Sequence, residues 1–287
     1  MAYLSIAALQ LELSGEDNLS LLEKEIRLVK KRFPWIQMVV LPELCTFGGN
    51  TDNAVRLPGE IETCFCEAAA ENDIWLIPGS IFERQGENVY NTAPVINPKG
   101  EVIARYRKQY PFLPYEKGVT AGDEFVVFDV PGVGRIGLMI CYDMWVPEMT
   151  RALAWMGAEA IICPSLTNTV DRNMELALAQ SNAVTNQLYF LNVNSAAPLG
   201  FGRSIFVGPD GTVLHQASSS REIITTEIDF AHVRRVRERG SYGLAQTLKS
   251  FRDRPADFPQ YIDGRSDPGE FAQLGALEVP TKEALPE

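Results

Sequence analysis

The chain has 287 residues, 46% of them hydrophobic, which is enough to bury a sizeable core in one large α/β domain or two small ones. Its 26 basic and 37 acidic residues leave a net charge of −11, spread along the chain without a basic stripe, so a nucleic-acid partner is not expected. The first residues are alternating apolar ones (Leu4, Ile6, Ala8) with no basic leader, and no window reaches the roughly 18 apolar residues of a membrane span, so a cytoplasmic protein without membrane contact is expected. Five cysteines, an odd count, read as free thiols rather than a disulfide framework.

Taken in order, strands alternate with helices. Residues 3 to 11 read as a strand. Asp17 and Asn18 then cap a helix whose apolar positions Leu19, Leu22, Ile26, Val29 and Phe33 follow the three-four spacing of one face. Met38 to Leu41 form a short buried strand ending at Pro42-Glu43, and a second helix follows Pro58-Gly59, with Ile61, Cys64, Phe65 and Ala68 on one side. One strand runs from Trp75 to Phe82. A hairpin turns at Asn97-Pro98-Lys99-Gly100, and its returning strand, Glu101 to Arg107, breaks at Lys108. The strand Ile136 to Ile140 delivers Cys141, after which Pro147 and Glu148 start a helix with an apolar stripe of Met149, Ala152, Leu153 and Met156, closed by Gly157. The theme repeats: strand Ala160 to Cys163, helix from a cap at Asp171, strand Tyr189 to Val193, and a hairpin at Gly208-Pro209-Asp210-Gly211. This predicts an α/β fold with a mixed sheet over residues 1–250, and the prolines after Ser250 predict an extended tail over 251–287 instead of a second domain.

Few residues are free for chemistry. The only histidines, His215 in the return of the late hairpin and His232 in a short basic helix, have no assigned partner and read as structural or solvated. Cys64 and Cys66 stand two apart on a helix and face different directions, no histidine pair has ligand spacing, and neither a metal nor a cofactor is expected. What remains is a coincidence of position. Glu43, Lys108 and Cys141 each stand just beyond the C-terminal end of an apolar strand, the edge at which open α/β sheets form their crevice. A lysine favours a thiolate, and a carboxylate in a dry pocket can take the thiol proton and pass it to a leaving amine. The sharp turn after Cys141 exposes the nucleophile and aims the amide of Tyr142 at a developing oxyanion. Taken one at a time, Cys141 is equally a core cysteine, Lys108 a solvated cation and Glu43 a loop carboxylate.

The segments Leu41-Pro42-Glu43, Arg105-Tyr106-Arg107-Lys108 and Gly137 to Asp143, followed by Pro147-Glu148, resemble the three signatures of the nitrilase superfamily, the carbon-nitrogen hydrolases. The resemblance runs from residue 3 to about 250 and includes Gly202-Arg203-Ser204. It implies a four-layer α-β-β-α sandwich of one domain, usually assembled into homodimers or larger homo-oligomers whose tails reach neighbouring subunits. It further implies that Cys141 is the nucleophile, Glu43 the general base and Lys108 the cation that stabilises the tetrahedral intermediate, with Glu116 at the place of a second glutamate beside the lysine.

Tyr142-Asp143 after the cysteine matches the amidase branches, whereas nitrilases commonly carry Trp-Glu there, so a small-molecule amide is the expected substrate. Trp145 is similar to the Cys-x-Asp-x-Trp pattern of N-carbamoylputrescine-type enzymes, which makes a ureido substrate the alternative and a nitrile the next. Phe112, Tyr115, Tyr142 and Trp145 are the expected substrate-binding residues, as walls of an apolar pocket, a role that plain core packing would fit equally. Many relatives carry Arg-Ala-x-Glu-Asn where this chain has Asn182-Ala183-Val184-Thr185-Asn186, so an internal ion pair is expected to be lost. Acyl transfer with the same trio is disfavoured, because the transferring relatives carry membrane helices, and a purely binding role is disfavoured by the intact Glu43, Lys108 and Cys141.

Overall fold

The computed structural model describes residues 2–113, 115–255, 257–262, 269–275 and 277. Strand β1 (Tyr3–Gln10) is buried at every position but Tyr3. Helix α1 (Leu19–Arg32) begins where Asp17 Oδ1 accepts the amide of Leu19 at 2.8 Å and turns Leu22, Ile26 and Val29 inward. It ends on Lys30, Lys31 and Arg32, cations suited to the negative end of the helix. Strand β2 (Met38–Val40), helix α2 (Glu60–Asn72) and strand β3 (Trp75–Ile77) follow, then β4 (Ile81–Gln85), β5 (Asn88–Ile96) and β6 (Val102–Arg107).

The second half repeats the alternation with β7 (Val126–Val130), β8 (Gly134–Leu138), helix α3 (Pro147–Trp155), β9 (Ala160–Ser165), helix α4 (Arg172–Asn186), β10 (Tyr189–Asn194), β11 (Ile205–Val207) and β12 (Val213–Gln216). Strand β13 (Glu222–Asp229) then returns to pair antiparallel with the whole of β1, Tyr3 against Asp229 and Gln10 against Glu222, and leads into helix α5 (Phe230–Arg239). One sheet therefore runs β13-β1-β2-β3-β5-β4 with β6 on β5, and the other β12-β11-β10-β9-β8-β7.

Two sheets stand where strand alternation alone predicts one. Their facing sides share one core, in which Ile6, Ala8, Val40 and Ile77 meet Ile136, Leu138, Ile162 and Phe190. On the outer side of the first sheet, Ala7, Leu9, Val39 and Leu76 pack on Leu22, Ile26 and Phe65 of the helices. Each central strand is thus buried on both faces, so its sequence carries no mark of which sheet it joins. The result is the four-layer α-β-β-α sandwich.

Three local expectations are corrected. The strand read from Trp75 to Phe82 is two, split at Pro78-Gly79-Ser80. Gly79 has φ +73°, and a Cβ there would lie 1.8 Å from the carbonyl oxygen of Pro42, so the chain must bend to pass under the loop that carries Glu43. A second hairpin, β4–β5, turns at Gly86 with φ +61°, and β7 and β13 complete the sheet edges; the short runs of these elements carry little periodicity. After Ser250 the described residues are not uniformly extended: helices α6 (Thr247–Arg252) and α7 (Pro259–Ile262) and a turn of 3₁₀ helix (Gly269–Leu274) appear, Pro259 serving as a first helical residue. Phe251 packs edge-on against Trp155, and Tyr261 donates to Glu148 Oε1 at 3.1 Å, which lays this part of the tail on α3. The rest of the expected tail, residues 263–268, 276 and 278–287, lies outside the described residues.

Candidate active site

The loops beyond β2, β6 and β8 bring Glu43, Lys108 and Cys141 together from both sheets. Glu43 follows Leu41-Pro42 and precedes Leu44, whose φ of 48° turns the chain sharply. Lys108 is the first residue past β6, its amide donating to the carbonyl of Asn91 at 2.9 Å. Cys141 opens a 3₁₀ turn, Cys141–Trp145, with φ 47°, a left-handed conformation that is costly for a residue with a side chain and recurs at functional sites. The turn is riveted by Asp143, which is fully buried: Oδ2 accepts the amide of Ile140 at 2.9 Å and the hydroxyl of Tyr106 at 2.6 Å, while Oδ1 accepts the amide of Tyr110 at 2.9 Å. Burial raises the Asp143 carboxyl to about 6 against these three donors.

Lys108, 1% exposed, donates to Glu43 Oε1 at 2.8 Å and to Glu116 Oε2 at 2.6 Å. Asn91 Nδ2 bridges the same two carboxylates, at 2.8 Å to Glu43 and 2.7 Å to Glu116. The opposite amide orientation would set its oxygen against both. Glu43 Oε2 takes the amide of Leu166 at 2.8 Å, and Glu116 Oε2 takes that of Phe112 at 2.5 Å. Each carboxylate thus accepts three hydrogen bonds and the ammonium donates two.

The charges shape one another. Burial opposes the ammonium of Lys108, but Glu43 and Glu116 outweigh it and hold Lys108 well above its ordinary value, so it remains a cation. Burial raises Glu43 more than Lys108 lowers it, and Glu116 adds to the rise, which makes Glu43 a better proton acceptor than a surface carboxylate. Burial and the negative charge of Glu43 push the Cys141 thiol well up, Lys108 pulls it down and Glu175 pushes it up again, so the resting group is a thiol.

Cys141, Glu43, Lys108 and Glu116 open on a cavity of about 200 Å³ whose other walls include Leu44, Phe82, Phe112, Tyr115, Leu166 and Asn168. The four expected aromatic residues form a chain, Tyr115 to Phe112 at 5.9 Å between ring centroids, Phe112 to Tyr142 at 5.0 Å and Tyr142 to Trp145 at 5.9 Å. Only its first half faces the cavity. Phe112 and Tyr115 line it, Tyr142 lines a small adjoining recess beside Cys141, and Trp145 stacks behind Tyr142 without lining either. Among the described residues no group of three or more His, Cys, Asp or Glu is arranged to hold a metal ion, and no helix is long and apolar enough to cross a membrane.

Several residues of this site are absent from the sequence reading. Asn91 is buried mid-strand in β5 beside the equally buried Thr92, and nothing in that run singles it out. Thr167 Oγ1 stands 3.8 Å from Cys141 Sγ and donates to Glu175 Oε1 at 2.9 Å, and Arg172 Nη1 reaches Glu175 Oε2 at 2.6 Å. Asp171 occupies the cap position of α4 but its carboxylate takes the hydroxyl of Thr169 instead of a helix amide. Where the resemblance places the arginine and glutamate of an ion pair, Asn182 donates to the carbonyl of Met144 at 2.9 Å, and Arg151 donates to the backbone carbonyl of Thr185, also at 2.9 Å, and lies over the ring of Phe251.

Comparison with known proteins gives the family. The Bacillus thuringiensis (strain Al Hakam) protein named formamidase is 34% identical over 218 residues, covering 71% of this chain; the chain therefore spans about 65% of that relative's length. Among solved structures, Saccharomyces cerevisiae Nit3, described as a member of branch 10 of the nitrilase superfamily, aligns with a TM-score of 0.76 at 30% identity, over 83% of this chain and 94% of that one. A carbon-nitrogen hydrolase from Helicobacter pylori G27 aligns with a TM-score of 0.78 at 26% identity, over 90% and 97%. The family model described as carbon-nitrogen hydrolase matches residues 5–238, and the chain belongs to that family.

Proposed function

We propose that this protein hydrolyses the C–N bond of small, uncharged amides, with Cys141 as nucleophile, Glu43 as proton carrier, Lys108 as oxyanion cation and Glu116 holding Lys108 in place. One observation carries the reading: a thiol, a carboxylate and an ammonium, all buried, converge on a single cavity. The charged side chains lining that cavity are Glu43 and Glu116, both on the single cation Lys108, so an anionic acyl group would be desolvated there without a counter-ion and a cationic one would meet only carboxylates already engaged by Lys108. The name of the Bacillus relative, formamidase, supports a short acyl group.

In the first half of the reaction the thiol proton passes to Glu43 as sulfur attacks the carbonyl carbon. The carbonyl electrons move onto oxygen, where Lys108 and the amide of Tyr142 stabilise them. Collapse breaks the C–N bond while Glu43 protonates the departing nitrogen, leaving a thioester and ammonia or an amine. Water then attacks, Glu43 taking its proton, and the C–S bond breaks as that proton returns to sulfur, releasing a carboxylic acid. Phe112 and Tyr115 wall the acyl group. Trp145, which carries the resemblance to carbamoyl enzymes, lies behind Tyr142, and this favours the amide over the ureido substrate. The test is ammonia release from aliphatic, aromatic and N-carbamoyl amides and matching nitriles, in wild type and Cys141→Ala. Turnover of small neutral amides that vanishes in the variant is expected, and turnover that survives in Cys141→Ala sinks the assignment.

The five free cysteines support a reducing compartment, hence the cytoplasm. The exposed aromatic side chains of Trp155 and Tyr261, where the tail meets α3, support residues 251–287 as part of a homodimer or higher homo-oligomer interface, which sedimentation of the full chain against a form ending at residue 250 would test.

A further inference from the structure

One polar group beside the nucleophile has no part in that reaction. The hydroxyl of Thr167 lies 3.8 Å from Cys141 Sγ, and its surroundings are fixed. The Thr167 amide donates to Asn194 Oδ1 at 2.8 Å and its carbonyl accepts from Asn194 Nδ2 at 3.0 Å, so the backbone is clamped from both sides. Its hydroxyl donates to Glu175 Oε1 at 2.9 Å. The other oxygen of Glu175 takes Arg172 Nη1 at 2.6 Å, and Arg172 is tied in turn to the carbonyls of Gly202 and Arg203 at 3.0 and 2.7 Å. Thr167, Arg172 and Glu175 are all buried.

A hydroxyl owns one proton. That proton is donated to Glu175, whose other oxygen is held by Arg172, so Thr167 presents a lone pair to the sulfur. We propose that Thr167, locked by Glu175 and Arg172, is a positioning residue that accepts the S–H bond of resting Cys141 and holds the nucleophile as an aligned thiol until Glu43 takes its proton. This rests on Cys141 being the nucleophile. A buried ion pair contributes little net stability after desolvation, and fixing the direction of one hydroxyl gives the Arg172–Glu175 pair a role that stability does not. The charged groups around the sulfur are Glu43 and Lys108 from the ends of β2 and β6, Glu116 behind Lys108, and Glu175 from α4; Asp143 lies further along the same turn, engaged with Tyr106.

The test follows modification of Cys141 by methyl methanethiosulfonate as a function of pH, read from the mass of the Cys141 peptide so that the other thiols do not contribute. Losing an acceptor destabilises the thiol relative to the thiolate. Thr167→Val is therefore expected to lower the midpoint by about half to one pH unit, the worth of one weak hydrogen bond, and to lower kcat by about tenfold with little change in KM. Thr167→Ser, which keeps the hydroxyl, restores both. Thr167→Ala removes the same hydroxyl without adding volume and must show the same fall, which guards against a valine that does not fit. A midpoint that stays or rises in either hydroxyl-free variant overturns the proposal. Turnover that survives in Cys141→Ala would instead overturn the nucleophile itself, independently of Thr167.

Discussion

The floor and the rim of the cavity are built on opposite terms. The floor is Glu43, Lys108, Glu116 and Asn91, four side chains no more than 4% exposed that are joined by hydrogen bonds of 2.6 to 2.8 Å. The rim is aromatic, Tyr115, 61% exposed, and Phe112 at the cavity with Tyr142 and then Trp145 packed behind them, and its contacts are ring packing at 5.0 to 5.9 Å. A buried charge network has one workable arrangement, because each unpaired group left in the dry interior is costly. Aromatic packing tolerates substitution of shape and loses energy gradually. The floor accordingly suits the proposed chemistry, and the rim a choice of acyl group that can vary.

The strongest way to break this contrast is Lys108→Met. It leaves Glu43 and Glu116 facing each other with no cation, so kcat/KM for the best amide is expected to fall roughly a thousandfold or more. Stability is expected to drop by about 3–5 kcal/mol, the usual cost of orphaning a buried ionic partner. Steady-state kinetics and denaturant unfolding read the two losses separately. A loss of less than about tenfold would mean that the floor does not hold the oxyanion.

The same contrast explains what the sequence could and could not disclose. Glu43, Lys108 and Cys141 were legible because each ends an apolar strand, and a strand end is a one-dimensional signal. The sandwich itself came from the resemblance, since β1, β2, β9 and β10 are buried on both faces and read alike whichever sheet they join. Asn91 lies mid-strand, and its value comes from two carboxylates 48 and 25 residues away, a relation that no local spacing encodes. Thr167 and Glu175 matter only because the loop after β9 folds back on Cys141. Trp145 shows the converse: grouped with the other aromatics it fits a pocket wall as well as plain core, and the 3₁₀ turn sets it behind Tyr142.

Asp143 offers a smaller effect that sharpens the description of the floor, because it ties the nucleophile turn to the strand that ends in Lys108. Its carboxyl is raised from 3.8 to about 6, so the folded state holds a proton that the unfolded state has already lost over that interval. The contribution is fully present below about 4 and is lost as pH rises through about 6, amounting at most to roughly 3 kcal/mol. Carboxylates lowered in the fold, such as Glu83 and Asp229, slope the other way, so the diagnostic quantity is the difference between wild type and Asp143→Asn. Unfolding free energies measured from pH 4 to 7 should show wild type losing stability relative to the variant as pH rises; parallel curves would place the Asp143 proton elsewhere.

The rim should give the least. Tyr115→Ala removes an exposed ring that lines the cavity, and KM for the longer acyl amides is expected to rise by about threefold to tenfold while kcat on the shortest amide hardly moves, since the lost contact is made equally in ground and transition states. Trp145→Phe tests the other end of the aromatic chain. Its indole nitrogen is buried without a hydrogen-bond partner among the described residues, so the substitution gives up ring area but also removes an unsatisfied donor, and the two effects oppose each other. With no wall of the cavity altered, kcat/KM for amides of every length should stay within about twofold of wild type. A change that grows with acyl length in Trp145→Phe, as large as that in Tyr115→Ala, would show that substrate reaches past Tyr142 and that the rim extends the whole length of the aromatic chain.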